Sequence, residues 1–385
     1  MATKGVFYVG VDDTRIDLFE GQYNVPDGMC YNSYVIIDDK CAVMDGVDAA
    51  FAHLWLEKVE RALCGRSPDY LVVQHMEPDH SAGVKLFAEK YPDALIVSSA
   101  KAFAMMKGFF GDDFCSRRLV VGEGDTLPLG ERTLHFITAP MVHWPEVIMT
   151  YESLEGMLFS ADAFGRFGVY NSQGIDLDAE SRRYYIGIVG KYGKQVLAVL
   201  KKAAALDISR ICPLHGNIIE KEDIGHLLDL YTHWAEYEPE KKGVTIAYAS
   251  IYGNTREAAL LLEKELIQRG VGTVKVFDLS RCDKSEAVAS AFMTDSLVLA
   301  STTYNLDVFP PMREYLAALT ERGFKKRRVG IIENGSWAPT AAKVIRAALE
   351  GSESITFTDT TVRVNSALNN ESRCAIASLA YELAN

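Results

Sequence analysis

The feature of this sequence that most constrains its fold is the six-residue run HMEPDH at positions 75–80. Four of these six side chains, from two histidines, one glutamate and one aspartate, are of types that bind metal ions. The run follows an apolar, strand-like segment at 71–73 and precedes a helix-like segment that begins at Ser81. Because functional loops are held by the rigid elements beside them, we predict a metal site at the end of a buried strand.

The spacing of the four ligands predicts two neighbouring metal positions. In an extended segment, side chains two residues apart share a face, so His75 and Glu77 can reach one metal together. Pro78 fixes φ and ends the strand, and Asp79 and His80 can then turn towards a second position. Three further candidate ligands each follow a short apolar run: His143, Asp162 and His215. The sequence therefore predicts a binuclear centre built from loops at strand ends.

The residues before position 240 mix short strands and helices. Apolar patterns predict strands over 33–38, 42–45, 71–74, 94–98, 134–138 and 147–151. Helices are predicted over 55–63, 81–90, 184–205 and 221–237. The charged stretch 236–243 contains a proline and ends in glycine, which suits an exposed boundary. We therefore predict two domains, 1–240 and 244–385.

The residues after the boundary predict an alternating β/α domain. Strands are predicted over 244–249, 273–277, 296–300, 329–332 and 355–364, and helices over 255–269, 340–349 and 370–383. Strands that alternate with helices form a parallel sheet that is covered on both faces. Ligands bind such a sheet beyond the carboxyl ends of its strands.

Three polar loops follow the predicted first, third and fourth strands of this domain. The first loop, SIYGNT, supplies hydroxyl groups, a glycine that lets the backbone come close, and a helix start that attracts a phosphate. It resembles the phosphate loop of flavodoxins, although an ordinary capped helix is the alternative. The predicted flavin-binding residues are Ser250, Ile251, Tyr252, Gly253, Asn254, Thr255, Ser301, Thr302, Thr303, Tyr304, Asn305, Asn334, Gly335, Ser336 and Trp337. FMN is favoured over FAD because no GxGxxG motif opens a βα unit.

The composition excludes several functional classes. The net charge is −12, from 40 basic and 52 acidic residues, whereas nucleic-acid binding needs a basic surface. The sequence has no run of about 18 apolar residues and no signal-peptide core, so we expect neither a membrane span nor secretion. The seven cysteines are widely spaced and form no CxxC pair, which predicts a reducing, cytoplasmic location.

The ligand pattern, HxExDH followed by His, Asp and His after strand ends, resembles the metallo-β-lactamase fold, an αββα sandwich with a binuclear site. Hydrolases of that fold have histidine where this chain has Glu77. The glutamate is typical of flavodiiron proteins, and a more anionic ligand set suits iron. The resemblance implies two non-haem irons, with His75, Glu77 and His143 on one, Asp79, His80 and His215 on the other, and Asp162 bridging both.

The order of the two halves along the chain also resembles the flavodiiron core, and this resemblance covers nearly all 385 residues. The expected fold class is α/β, with a metallo-β-lactamase-like αββα sandwich followed by a flavodoxin-like doubly wound parallel sheet. The first domain would hold the diiron site and the second would hold FMN. The chain resembles the minimal class of this family, without a rubredoxin extension.

The resemblance implies an oxidoreductase that reduces O2 to water, NO to N2O, or both, at a diiron site supplied with electrons by FMN. The implied donor is rubredoxin or another external carrier. The family forms a head-to-tail dimer, so we expect a homodimer, which some relatives extend to a tetramer. The basic run KKRR at 325–328 is a candidate docking patch for the donor, although a solvated loop is the simpler interpretation.

Two other functions stay open at this point. One is a zinc-dependent hydrolase of the metallo-β-lactamase fold with a regulatory flavin domain, which Glu77 disfavours because a three-histidine first site is expected for zinc hydrolysis. The other is a flavodoxin-type electron carrier with a degenerate metal domain. This function is disfavoured because all seven ligand positions hold a residue that can bind metal.

Overall fold

The protein is described by a computed structural model over residues 5–385. The chain divides into two compact units, of which the first ends at Thr232 and the second spans His233–Asn385. This division lies a few residues before the predicted boundary at 240. The assignment of a diiron domain to 1–240 and an FMN domain to 244–385 stays a prediction.

The described part of the first unit is built on short strands and helices. Its strands are β1 Val6–Tyr8, β2 Val11–Asp13, β3 Leu18–Phe19, β4 Tyr23–Asn24, β5 Met29–Tyr31, β6 Tyr34–Ile37, β7 Cys41–Met44, β8 Tyr70–Val72, β9 Leu95–Ser98, β10 Arg118–Val120, β11 Thr126–Pro128, β12 Thr133–Thr138, β13 Ile148–Glu152, β14 Met157–Phe159, β15 Arg210–Cys212 and β16 Ile219–Glu220. Its helices are α1 Ala52–Leu63, α2 Pro78–Ser81, α3 Val84–Lys90, α4 Ala100–Phe110, α5 Leu177–Tyr184, α6 Gly193–Ala203 and α7 Lys221–Glu236, the last of which runs into the second unit.

These strands form two six-stranded mixed sheets with orders β1-β6-β7-β8-β9-β10 and β11-β12-β13-β14-β15-β16. The residues of β7 alternate between the two faces of the first sheet. Ala42 and Met44 join a buried cluster with residues of the second sheet such as Phe136 and Phe159, so the two sheets pack face to face. Val43 points the other way.

Helices cover the outer faces of this sandwich. The outward face of the first sheet packs against Trp55 of α1, Phe87 of α3 and Phe103 of α4. On the second sheet, the α6 residue Lys202 donates a hydrogen bond of 2.8 Å to the carbonyl oxygen of Thr138 in β12. The αββα sandwich expected from the ligand pattern is therefore confirmed.

The second unit is a parallel sheet with helices between its strands. Its strands are β17 Lys241–Ala249, β18 Val274–Asp278, β19 Thr294–Tyr304, β20 Asp307–Val308, β21 Arg328–Asn334 and β22 Thr356–Val364. Its helices are α8 Asn254–Gln268, α9 Lys284–Met293, α10 Pro310–Glu321, α11 Ala341–Leu349 and α12 Asn370–Ala384.

The main strands of this sheet have the order β18-β17-β19-β21-β22, and every neighbouring pair is parallel. In chain order this is 2-1-3-4-5, the arrangement of the flavodoxin-like doubly wound fold. The chain leaves β17 on one side to form β18 and then returns to form β19 on the other side. The carboxyl ends of β17 and β19 therefore flank the topological switch point, where such folds bind ligands.

Several element boundaries differ from the sequence predictions. The helix predicted over 184–205 is interrupted: α5 ends at Tyr184, irregular helical turns follow, and α6 begins at Gly193. Glycines at 187, 190 and 193 lie in this interval, and glycine lowers the stability of a regular helix. The sequence analysis also missed α4, α9 and α10, and all of α5 except its last residue.

The proposed basic docking patch is not an open surface. Lys325 Nζ lies 3.2 Å from Glu353 Oε2, and Lys326 Nζ lies 2.6 Å from Glu238 Oε1. Arg327 is only 2% exposed, and its guanidinium donates to backbone carbonyl oxygens, including that of Tyr237 at 2.6 Å. The candidate docking patch at 325–328 therefore offers few free charges, because Lys325, Lys326 and Arg327 bond within the unit, and donor docking there stays untested.

Candidate metal centre and flavin site

The HMEPDH run changes from extended to helical backbone within the run itself. The preceding strand β8 ends at Val72, and Glu77 is the last non-helical residue, with φ −58° and ψ 137°. Pro78 is the first residue of α2, a position that favours proline because its missing N–H is not needed there. The short helix turns Asp79 and His80 away from the direction of His75 and Glu77, as the sequence predicts.

The other three candidate ligands come from loops of the second sheet. His143 follows β12, Asp162 follows β14, and His215 follows β15. Since β12 to β15 are consecutive neighbours in that sheet, these loops lie at one edge. The side chains converge with the HMEPDH run into two groups within which potential ligand atoms lie close together: His75, Glu77, His143 and Asp162 in one, and Asp79, His80 and His215 in the other.

The first group is compact and centred on imidazole and carboxylate tips. His143 Nε2 lies 3.0 Å from Glu77 Oε2 and 2.9 Å from Asp162 Oδ2. His75 Nε2 lies 3.2 Å from Glu77 Oε2 and 3.3 Å from Asp162 Oδ2. These four side chains point at one shared position.

The second group is adjacent and is joined to the first through Asp162. The Nε2 atoms of His80 and His215 lie 3.0 Å apart. Asp79 Oδ2 lies 3.4 Å from His80 Nε2 and 3.3 Å from His215 Nε2. The second oxygen of Asp162, Oδ1, lies 3.4 Å from His80 Nε2, so each oxygen of this carboxylate faces a different group.

The hydrogen bonds behind two of the imidazoles determine which atoms face inwards. His215 Nδ1 lies 2.7 Å from the carbonyl oxygen of Cys30, which can only accept, so Nδ1 carries a hydrogen. His75 Nδ1 likewise donates to Glu146 Oε1 at 2.9 Å. In a neutral ring this leaves a lone pair on Nε2, directed into the cluster. Lone pairs that face each other across about 3 Å, as on His80 Nε2 and His215 Nε2 at 3.0 Å, require a proton or a cation between them.

The pKa values of the cluster also show that its carboxylates need positive charge beside them. Burial lowers the pKa of His143, but hydrogen bonds to Asp162 and Glu77 outweigh it and raise the pKa to about 9. Burial raises the pKa of Asp162, but the imidazoles of His75 and His143 hold it well below its usual range. Without a metal, protons on the histidines neutralise the carboxylates. The same atoms can ligate metal cations when the histidines are neutral.

Several residues that support the cluster carry no signal in the sequence. Asp45 is buried and accepts hydrogen bonds from the backbone N–H and the side-chain amide of Gln74, at 2.6 and 2.7 Å. Asn32 donates to the carbonyl oxygens of Pro213 and Gly216, which holds the loop that carries His215. These residues are remote in sequence from what they position, so no local pattern indicates them.

Tyr184 is a further residue that the sequence analysis missed. Its ring is fully buried and lies 5.5 Å from the ring of His215, measured between centroids. Its hydroxyl has no hydrogen-bond partner among the described residues. Burial, with smaller contributions from Asp162, Asp79 and Glu77, raises its pKa well above the ordinary value. The hydroxyl is therefore a buried, neutral group with no hydrogen-bond partner among the described residues.

A second candidate site lies at the switch point of the second unit. A cavity of about 250 Å³ is lined by Ser250, Ile251, Tyr252, Asn254, Thr255, Thr302, Thr303, Asn305, Leu306, Asn334, Gly335, Ser336, Trp337 and Ser366. These residues come from the last residues of β19 and β21, the start of α8, and the loops after β17, β19, β21 and β22. The three loops predicted from the sequence therefore meet around one cavity.

Three of the predicted flavin residues do not line this cavity. Ser301 is buried, and its hydroxyl contacts the backbone of Thr302 and Phe309. Tyr304 packs against Phe309, with ring centroids 5.6 Å apart. Gly253 forms the turn before α8. Two lining residues, Leu306 and Ser366, were not predicted, although Ser366 follows a strand end as the other loops do.

The cavity has the features of a site for an aromatic phosphate ester. Gly253 has φ +94°, and a Cβ at this position would have no atom within 4 Å, so the backbone leaves space there. The first turn of α8 follows immediately and presents unpaired N–H groups, which attract a phosphate. Trp337 is 75% exposed and Tyr252 is 92% exposed, so two aromatic rings at the cavity lack packing partners. The residues present fit a bound FMN.

Comparisons with known proteins identify the family of this chain. A family described as ODP family beta lactamase matches residues 29–216, which include all seven candidate metal ligands. A nitric oxide reductase of Moorella thermoacetica is 31% identical over 366 residues, covering 91% of this chain and 89% of the relative. An anaerobic nitric oxide reductase flavorubredoxin of Vibrio vulnificus is 29% identical and covers 90% of this chain and 72% of the relative.

Solved structures match over both units. The rubredoxin oxygen:oxidoreductase of Desulfovibrio gigas superposes with a TM-score of 0.92 at 27% identity, covering 100% of this chain and 98% of that one. The flavodiiron protein of Giardia intestinalis superposes with a TM-score of 0.88 at 26% identity, covering 98% and 95%. Sequence and structure thus agree over almost the full length, and the chain belongs to the flavodiiron proteins, oxidoreductases that carry FMN and a non-haem diiron site.

Proposed function

We propose that this protein reduces O2 to water, NO to N2O, or both, with electrons from an external donor. The observation that carries the proposal is the pair of ligand groups joined by Asp162, each of whose oxygens faces a different group. Two adjacent metal positions with a shared carboxylate suit a reaction that needs both metals at one substrate.

The proposed ligand sets follow the two groups. One iron would be held by His75, Glu77 and His143, the other by Asp79, His80 and His215, and both by Asp162. When bound, the irons supply open coordination positions for the substrate, and FMN supplies electrons to them. The carboxylates offset the charge of the irons, and the burial of the histidines limits the access of water.

Residues around the cluster have separate tasks in this proposal. The hydroxyl of Tyr184 would donate a hydrogen bond to a bound substrate, because it is buried beside His215 and has no partner among the described residues. Its raised pKa keeps the proton on the oxygen, so it orients a substrate without ionising. The carbonyl oxygen of Cys30 holds His215 in the tautomer that presents Nε2 to a metal.

The proposed FMN site is the cavity at the switch point of the second unit. The start of α8 would bind the phosphate, and the loops that carry Asn305 and Asn334 would bind the ring edge. We further propose a head-to-tail dimer in which the partner covers the exposed ring of Trp337; a tetramer formed from two such dimers is the alternative assembly. Exposed aromatic rings around a cofactor cavity are typical of a surface that another chain covers.

The proposed electron donor is a rubredoxin-type protein. The relatives named flavorubredoxin and rubredoxin:oxygen oxidoreductase support this choice. The structure does not favour the run at 325–328 as its docking site, because Arg327 is buried and Lys325 and Lys326 are paired with Glu353 and Glu238. We also propose a cytoplasmic location, since all seven cysteines are free thiols. None of the described helices is long and apolar enough to cross a membrane.

The zinc hydrolase is not favoured. Glu77 lies within 3.2 Å of both His75 Nε2 and His143 Nε2, so a carboxylate takes the place where a hydrolase has a third histidine. The nitric oxide and oxygen reductases among the similar proteins favour redox chemistry over hydrolysis as well.

The decisive experiment mixes the reduced, metal-analysed protein anaerobically with O2 and, separately, with NO in a stopped-flow instrument. We expect about two irons and one FMN per chain, with rapid reoxidation by at least one of the gases. The ratio of the two rates identifies the preferred substrate. A His80→Asn variant should lose rapid reoxidation, whereas His226→Asn should retain it, because His226 contacts Asp178 outside the cluster.

Two results would overturn the proposal. One is zinc in place of iron in protein that was produced with both metals available. The other is slow reoxidation by both gases in protein that carries iron and FMN. Equal rates in the His80→Asn variant and the unmodified protein would instead show that the ligand groups take no part in the reaction.

A further inference from the structure

Glu146 is a buried carboxylate directly behind one of the proposed iron ligands. It is 2% exposed and lies just before β13. Its Oε1 atom accepts a hydrogen bond of 2.9 Å from His75 Nδ1 and another of 2.9 Å from the backbone N–H of Met76. Its Oε2 atom is buried and has no hydrogen-bond partner within the described part of the chain. The carboxylate is therefore fixed against the ring and shielded from water.

The histidines of the other group, His80 and His215, have no carboxylate hydrogen-bonded to Nδ1. His215 Nδ1 donates to the carbonyl oxygen of Cys30, which carries no net charge. The Nδ1 atom of His80 is buried and lacks a hydrogen-bond partner among residues 5–385. The two metal positions thus have similar inner ligands, but among His75, His80 and His215 only His75 has a carboxylate hydrogen-bonded to its Nδ1 atom.

We propose that Glu146 is a positioning residue that makes the two irons electrically inequivalent, by placing a buried negative charge behind His75. The inference rests on the proposed diiron function. The iron beside His75 would have the lower reduction potential, and the iron beside His215 would accept an electron first. The two positions would then fill with electrons in a fixed order.

The physical reason is the different charge of the two iron oxidation states. A nearby negative charge stabilises ferric iron more than ferrous iron, and it makes the imidazole a stronger donor. Changes to such supporting residues typically alter metal affinity about 10- to 100-fold. A tenfold change in the preference for ferric over ferrous iron shifts a one-electron potential by about 59 mV. Burial increases the effect, because little water screens the charge.

Two substitutions separate the charge from the hydrogen bond. Glu146→Gln keeps an oxygen that accepts from His75 and Met76 but removes the charge. Glu146→Asp keeps the charge but withdraws the carboxylate by one methylene group. Glu152→Gln is the matched control, because Glu152 is also buried yet bonds to Leu154, Glu155 and Arg132 rather than to a ligand.

The experiment measures the two one-electron midpoint potentials of the iron pair in the FMN-loaded full chain, and iron affinity by chelator competition. We expect Glu146→Gln to raise the lower potential by about 59 mV, to narrow the separation of the two potentials, and to weaken iron binding about tenfold. Glu146→Asp should stay closer to the unmodified protein in potential. Glu152→Gln should leave both readouts unchanged.

The outcomes distinguish this inference from the proposed function. If Glu146→Gln binds two irons with unchanged potentials, or if Glu146→Asp shifts the lower potential as much as Glu146→Gln does, the inference is wrong while the diiron function stands. If the unmodified protein binds no iron, both are wrong. Should Glu146→Gln fail to fold, Glu146→Asp still decides, because withdrawing the charge by one methylene group should raise the lower potential by less than about 59 mV. No rise in Glu146→Asp, or an equal rise in Glu152→Gln, contradicts the inference.

Discussion

The metal-free protein should lose stability as the pH rises from about 6.5 to about 9. His143 is 7% exposed, and its pKa rises from 6.5 to about 9 in the folded protein because Asp162 and Glu77 accept hydrogen bonds from its protonated ring. A histidine with a raised folded pKa stabilises the fold fully below its unfolded pKa. Between the two values, the unfolded chain releases the proton while the folded chain keeps it, so stability falls.

The expected size of the loss follows from the difference between the two pKa values. A rise from 6.5 to about 9 corresponds to about 3 kcal/mol, at about 1.36 kcal/mol per pKa unit. The neighbouring carboxylates raise the pKa of His75 and His80 as well, although burial opposes this, so both act in the same direction. Bound metal replaces these protons, and the metal-loaded protein should therefore lack this decline.

The assay is urea unfolding of the chelator-treated full chain at pH 6.5, 7.5 and 9, followed by circular dichroism and by tryptophan fluorescence. His143→Gln should reduce the change in unfolding free energy between pH 6.5 and pH 9. His135→Gln is the control and should leave it unchanged, because His135 lies on β12 outside both ligand groups. A metal-free protein whose unfolding free energy stays constant from pH 6.5 to 9 would refute the reasoning, as would the same decline in the metal-loaded protein.

Three further substitutions test separate parts of the structure. His215→Gln should lower the iron content by about half, measured by elemental analysis, because it removes a ligand from one of the two proposed positions. Gly253→Ala should weaken FMN binding roughly tenfold in a fluorescence titration, because alanine is strained by about 1–2 kcal/mol at φ +94°. Gly270→Ala, at φ +83° and away from the cavity, should not weaken it. Arg327→Met should destabilise the chain by about 3 kcal/mol in urea, because the buried guanidinium donates to several backbone carbonyls, including that of Tyr237.

The predictions from the sequence succeeded where the signal is local. Pro78 and the spacing of His75, Glu77, Asp79 and His80 predict two directions for the ligands, and the structure has them. The five main strands of the second unit were also predicted, because buried parallel strands are continuous apolar runs. The burial of Arg327 and the partners of Lys325 and Lys326 were not predicted, because a run of charges does not show which carboxylates and carbonyls lie near it.

The missed residues act across long sequence separations. Glu146 contacts His75 from 71 positions away, and the carbonyl oxygen of Cys30 contacts His215 from 185 positions away. Helix α4 was missed although its cap is regular, with Ser99 accepting from the N–H of Ala102. Its face packs against the first sheet, and that packing is not visible in a local pattern.

The sequence by itself determined the types of ligand, their order and the strand ends that carry them. These properties depend on neighbouring residues, such as a proline after a ligand, a glycine in a phosphate loop or an apolar run before a polar one. The tertiary structure shows which candidate ligands lie close together and that each oxygen of Asp162 faces a different group, and it alone shows that a carboxylate supports His75 while a carbonyl supports His215. Distances and tautomers of this kind arise when two sheets pack face to face, because the packing brings together side chains that the chain itself keeps far apart.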